Sequence, residues 1–137
     1  MSQILLEVVT PSRNAIRTEA QEVYVPGVMG EFGILPQHTP FVTQLNIGTL
    51  SFKKDGKTRK YIISGGFAEV CNDHLIILTE SCESAEDVKL DESRKNLAQL
   101  EKTLLTMDAS SAEYRGVWDQ ARLEKARVDV RESSDII

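Results

Sequence analysis

Val25-Pro-Gly-Val-Met-Gly-Glu-Phe-Gly-Ile-Leu-Pro-Gln-His-Thr-Pro40 carries three glycines and three prolines in sixteen residues, set among short apolar pieces. Glycine permits positive φ and proline fixes φ near −65°, so the segment reads as tight turns joining brief strands. The residues on either side continue that texture. Ile4–Thr10 is apolar and rich in β-branched residues; Glu22–Val25, Gly33–Leu35 and Phe41–Leu45 are short apolar runs bounded by turn formers. Thr49–Lys54 and Lys57–Ile63 flank Asp55-Gly56, a strong two-residue hairpin signal, and Phe67–Cys71 and His74–Thr79 flank Asn72-Asp73 in the same manner. Strands this close together, with no helical pattern between them, predict an antiparallel β-sandwich or barrel.

From Ser84 onward the pattern changes. Proline is absent, Gly116 is the last glycine, and Leu97, Leu100, Leu104 and Met107 recur at spacings of three and four, which lines one helical face. Asp91 is the expected N-cap of that helix. Ser110-x-x-Glu113 has the form of a capping box and opens a second helix with an apolar stripe of Tyr114, Val117, Trp118, Ala121 and Val128, Lys125 being its odd member. Ser133–Ile137 is expected to fray. The expected fold is therefore α+β in two segregated parts: a β-sandwich or barrel over residues 1–87, then an antiparallel two-helix hairpin over residues 88–137.

The 137 residues suit one domain with an appendage, and the net charge of −5 argues against a nucleic-acid partner. Residues 1–87 hold 7 Lys/Arg against 11 Asp/Glu, whereas residues 88–137 hold 9 against 10, so the tail is dense in charge yet nearly balanced. Cys71 and Cys82 lack the partners of a zinc site; the reading favours reduced, partly buried thiols and leaves a disulfide open. Met1–Glu7 has no basic stretch followed by a long apolar one, so no signal peptide is expected, and no apolar run reaches the ~20 residues of a membrane span, so any membrane association is expected through a partner. Glu31 and His38 could in principle work as an acid/base pair, but no nucleophile, third ligand or phosphate-cradling loop accompanies them. Neither a catalytic site nor a metal site is expected. Gly65-Gly66 lacks the lysine and following helix of a nucleotide loop and reads as a bulge or bend.

V-P-G-x-x-G-E-F-G-I-L-P-x-H-x-P, followed by Ile63-Ser-Gly-Gly-Phe-Ala-Glu-Val70 and Leu90-Asp-Glu-Ser-Arg94, resembles the epsilon subunit family of F-type ATP synthases over essentially the whole chain. The resemblance implies a non-catalytic rotor subunit that couples proton flow to ATP synthesis and inhibits hydrolysis through mobile helices. Its implied partners are the gamma subunit, the membrane c-ring and the alpha/beta hexamer. The position of Glu31 would face the c-ring and that of His38 the gamma subunit. Leu90, Asp91 and Arg94 match the family's [I/L]-D-x-x-R-A motif, with Lys95 in place of alanine; with Arg122 they would bind a regulatory ATP, no other cofactor being implied. Arg115 and Arg122, seven residues apart, would meet an acidic segment of the beta subunit. The implied location is the cytoplasmic face of a bacterial membrane, or the stromal side of a thylakoid. A stand-alone interaction module is the alternative that the residues themselves leave open.

Overall fold

A computed structural model describes residues 2–134, with side chains described through residue 132. Of Ser133–Ile137, expected to fray, Ser133 and Ser134 end the second helix, and residues 135–137 lie outside the described residues. The chain divides between Glu83 and Ser84 into two compact units.

The first unit contains β1 (Ile4–Thr10), β2 (Arg13–Ala20), β3 (Glu22–Gly27), β4 (Gly30–Ile34), β5 (Phe41–Lys54), β6 (Lys57–Cys71) and β7 (His74–Leu78). Their hydrogen-bonded order is β2-β1-β7-β6-β5-β3-β4, and β8 (Cys82–Ser84) pairs with β6 off that path. All neighbouring pairs along the path are antiparallel except β1 and β7, which run parallel with Leu5 opposite His74. That pair departs from a purely antiparallel expectation: the chain leaves β1, crosses to the other layer, and returns to β1 from the same end.

One continuous ladder becomes two layers because β5 and β6 change which face they bury. Leu50, Phe52 and Ile63 point into the core on one side of the pairing gap at Asn46 and Gly65; Leu45, Ala68 and Val70, of opposite parity, do so on the other. A flip of parity along both strands of a ribbon requires a sharp local bend, and Gly65 (φ 90°) and Gly66 (φ 116°) provide it. A Cβ on Gly66 would lie 1.8 Å from the Leu78 carbonyl oxygen. The two apolar runs read separately in the sequence on each side of this bend are thus one strand each. Between the layers lie Ile4, Leu6, Val8, Val23, Val25, Ile34, Leu75 and Ile77, all essentially inaccessible to water. Alternation in β1 and β7 places every second residue there.

Asp55-Gly56 and Asn72-Asp73 form the expected tight turns, all four residues having positive φ. β2 was not visible as a strand in the sequence. Its outer residues Arg13, Asn14, Arg17 and Glu19 are exposed and only Ile16 and Ala20 are buried, as an edge strand allows. Both cysteines are free; Cys82 is half-buried, and burial pushes its thiol up to about 11, whereas Cys71 is exposed, contrary to the partly buried reading.

In the second unit a single 3₁₀ turn, Ala85–Asp87, precedes α1 (Leu90–Thr106) and α2 (Tyr114–Ser134). The caps differ from those expected. Lys89 occupies the N-cap of α1 and contributes no side-chain bond, so Asp91 sits inside the first turn. Ser110 does not close a box with Glu113: its amide and hydroxyl both donate to Asp108 Oδ1, at 2.9 and 2.8 Å. Asp108 lies closer along the turn than Glu113 and takes both donors, which holds its own carboxyl below the usual range.

Candidate functional site

The β3–β4 hairpin places Val28 and Met29 at its tip, closed by the Gly27–Gly30 pair. Met29 is 98 % exposed. Glu31 follows in β4, exposed and opposite Pro26. The loop after β4 turns back through Gln37, whose amide donates to Asp73 Oδ1 at 2.5 Å and whose φ is 70°. His38 is tied into this loop: its amide donates to the Leu35 carbonyl at 3.1 Å, and Nδ1 lies 2.6 Å from the Thr39 carbonyl oxygen. A carbonyl only accepts, so Nδ1 carries the proton. The ring lies 6.2 Å from Phe41, which packs edge-on against Phe32 at 5.6 Å. Glu31 and His38 thus lie on successive segments of one end of the sandwich, and among the described residues no hydrogen bond or ion pair joins them. An acid/base couple is not formed there.

What surrounds them is apolar and exposed. Val28, Met29, Leu35, Phe41 and Val42 leave large side chains in water at this end, and Phe67 and Leu78 do so on the adjoining outer face of β6 and β7. A shallow cavity of about 320 Å³ lies between Val42, Phe67, Glu69, Ile76 and Leu78. Apolar side chains grouped in water on rigid strands suit a surface for another macromolecule. Sequence reading singled out the two polar residues at this end and missed the apolar ones. The missing signal was parity: Phe67 falls on the outward face only once the Gly65-Gly66 bend is known, and Leu78 shares that face by pairing with it.

Farther along that outer face Glu7 accepts from His74 Nε2 at 2.6 Å and from Arg17. The His74 hydrogen bond, with the Arg17 guanidinium beside it, holds the Glu7 carboxyl below its usual range. The cluster joins β1, β2 and β7 across the surface and belongs to the fold.

On the helix pair, Arg94 lies 3.9 Å from Asp91 and 3.9 Å from Glu132 of α2, while Leu90 opens the helix. Leu90, Asp91 and Arg94 therefore share the first turns of α1. Arg122 is exposed on α2, and the structure does not join it to them. Arg115 is also exposed and pairs with Asp119 at 3.2 Å. Between the helices is an open cleft of about 370 Å³ lined by Asn96, Gln99, Leu100, Gln120, Leu123, Glu124 and Arg127. Glu124 is 7 % exposed; Oε2 accepts from Asn96 Nδ2 of α1 at 2.8 Å, and Oε1 accepts from Arg127 Nη1 at 2.9 Å. Ala121, Glu124 and Val128 form one buried stripe of α2, and Ala126 and Val130 a second. Lys125, expected on the stripe, instead projects outward and pairs with Asp129 at 3.1 Å. A three-four step from Ala121 through Glu124 to Val128 was available in the sequence, but a carboxylate was not expected inside.

Among the described residues no group of three or more His, Cys, Asp or Glu side chains is placed to hold a metal, and no helix is long and apolar enough to cross a membrane. A small β-sandwich with an apolar exposed rim, followed by a helix pair, is a build suited to docking on another macromolecule. Residues 3–85 match the family model of the ATP synthase delta/epsilon chain β-sandwich domain. The chain is 40 % identical over 126 residues to the ATP synthase epsilon chain of Nitratidesulfovibrio vulgaris strain DP4, covering 92 % of each. It is 35 % identical over 129 residues to that of Geotalea daltonii, covering 94 % of this chain and 92 % of the relative. Its fold matches a chain of the Euglena gracilis mitochondrial ATP synthase, in a structure of OSCP, F1 and c-ring, with a TM-score of 0.82 at 22 % identity, covering 98 % of this chain and 82 % of the other. The chain belongs to the ATP synthase delta/epsilon family, as a homologue of epsilon chains.

Proposed function

We infer that this chain is a non-catalytic subunit of the rotor of an F-type ATP synthase, coupling proton flow to ATP synthesis and restraining hydrolysis through its helices. The observation that carries this reading is the match to epsilon chains along 92 % of the length, helices included. In this reading residues 1–87 are the anchor. The rim of Val28, Met29, Leu35 and Phe41 docks on the gamma subunit and the c-ring, with Glu31 toward the polar loops of the ring and His38 Nε2 toward gamma. Loop and hairpin contacts held on a rigid sandwich transmit torque because the core behind them does not yield. The complex lies on the cytoplasmic face of a bacterial membrane, or on the equivalent stromal face.

Residues 88–137 are the brake. Paired as a hairpin the helices leave rotation free; separated and extended, they lodge against the alpha/beta hexamer, with Arg115 and Arg122 meeting acidic residues of beta. A regulatory ATP held by Leu90, Asp91, Arg94 and Arg122 would favour one state over the other. Its phosphates would compete with Asp91 and Glu132 for the Arg94 guanidinium, and Arg122 would have to approach Arg94. Lys95 would face the same ligand as an added cation.

The test is ATP hydrolysis by a purified alpha/beta/gamma core titrated with the full chain and, in parallel, with residues 1–87. Inhibition by the full chain alone, with binding by both, is the expected result. If neither binds a cognate core, the assignment to the stalk is wrong; if both bind and neither inhibits, the helices are not a brake.

A further inference from the structure

The geometry points to the Asn96–Glu124–Arg127 cluster as a latch that fixes the register of the helix pair and keeps the pairing reversible. This inference rests on the reading of the helices as a two-state brake. Leu97, Leu100, Leu104 and Met107 of α1 are only half-buried, Leu105 is 87 % exposed, and the one fully buried residue of α1 is Ser93. The apolar seam is therefore thin. It is also poorly specified, because leucines at spacings of three and four meet a neighbouring helix equally well after a slip of one turn.

Glu124 removes that freedom. Its carboxylate is withdrawn from water and reaches Asn96 Nδ2 across the seam at 2.8 Å, a bond that a slip of one turn would break. Arg127, one turn on, neutralises the charge from within α2 at 2.9 Å. A buried polar contact specifies an arrangement while adding little net stability, since its groups recover water when the helices part. The surrounding cleft, open and lined by Gln99 and Gln120 as well, lets water reach the cluster as the seam opens. A leucine seam of the same volume would close more tightly and release more slowly.

The test is hydrogen exchange across residues 94–104 in the full chain, comparing wild type with Glu124→Ala and with the double variant Asn96→Leu/Glu124→Leu. We expect Glu124→Ala to exchange about tenfold faster there and the double leucine variant about tenfold slower, with exchange in β1, β6 and β7 unchanged. Equal acceleration by both variants, or rates within about twofold of wild type for both, would overturn the latch, because a contact that keeps the pairing reversible through its desolvation cost must tighten when both polar partners become apolar. The same chains are then titrated into the alpha/beta/gamma core, where Glu124→Ala is expected to inhibit more and the double variant less. Exchange that shifts as stated while inhibition stays constant would uphold the latch and remove the brake reading instead.

Discussion

The two units of this chain bury their residues by different means. In the sandwich, ten large side chains below 2 % exposure lie in one contiguous core. In the helix pair, α1 buries one serine, and α2 buries alanines, valines and a glutamate. A densely packed apolar core has one arrangement and a steep penalty for leaving it, whereas a thin seam centred on a carboxylate has alternatives of similar free energy. On the proposed function, rigidity thus belongs to the part that would hold partners, and mobility to the part that would regulate. Local opening is expected to follow the same division, with α1 and α2 exchanging before the strands do.

The largest effect expected from one substitution lies at the bend that makes the sandwich. Gly66→Ala puts a Cβ 1.8 Å from the Leu78 carbonyl oxygen at a φ of 116°. Neither backbone can retreat without giving up the Phe67–Leu78 pairing. We expect a loss of more than about 4 kcal/mol, read as failure to fold or a collapse of the denaturant midpoint. Tolerance of alanine there would mean that β6 and β7 separate readily, and the contrast between the units would weaken.

Next comes a matched pair of truncations. Leu75→Ala, at a fully buried site in β7, should cost about 2–5 kcal/mol. Leu97→Ala, on the half-buried face of α1, should cost about 1 kcal/mol, because much of that side chain is already in water. Urea melts of the two variants give the difference directly, and equal losses would show that the helix seam is packed as tightly as the sandwich.

How far these differences could be read beforehand follows from the same residues. β1, β3 and β7 are short apolar runs with β-branched residues, and Asp55-Gly56 and Asn72-Asp73 mark the β5–β6 and β6–β7 turns, so the sandwich was legible. β2 was not, because an edge strand exposes one face and hydrogen-bonds through a backbone that carries no compositional signature. The apolar rim was hidden for another reason: Phe67 looks like a core residue until Gly65 and Gly66 reverse the parity of β6, and Leu78 shares its outward face by pairing with it. On the helices, the stripe around Ala121 and Val128 was visible, while Glu124 was hidden by the expectation that carboxylates face water. The basic residues Arg115 and Arg122 were read from spacing and resemblance, and the structure adds exposure to that reading.

A smaller effect separates the surface of the sandwich from its interior. Glu7 has a folded-state carboxyl pKa below its ordinary value of 4.5, chiefly through His74 and secondarily through Arg17. A lowered pKa means that the ionised form is favoured on folding, so its contribution is present above the unfolded value and lost as pH falls through the folded one. Between pH 5 and 3 the wild type should therefore lose stability slightly faster than Glu7→Gln, which has no proton to take up. Parallel pH dependences for the two proteins would show that the cluster is electrostatically idle.

The smallest effect concerns the start of α1, where the two readings of Asp91 differ in size. As an N-cap it would bond the backbone amides of the first turn, and Asp91→Ala would cost about 1 kcal/mol. In the structure Lys89 occupies the cap, and Asp91 lies one residue inside the helix, exposed and loosely paired with Arg94 at 3.9 Å. What remains is the attraction of a carboxylate to the N-terminal end of the helix dipole, a few tenths of a kcal/mol, screened by salt. The shift in thermal midpoint of the helix unit should accordingly be small at low salt and smaller still at 0.5 M. A salt-independent loss near 1 kcal/mol would restore the capping role and move the beginning of the helix to Asp91. The same variant also bears on regulation: with so little structural cost, any change it makes in the ATP dependence of inhibition reports on ligand contact and not on helix stability.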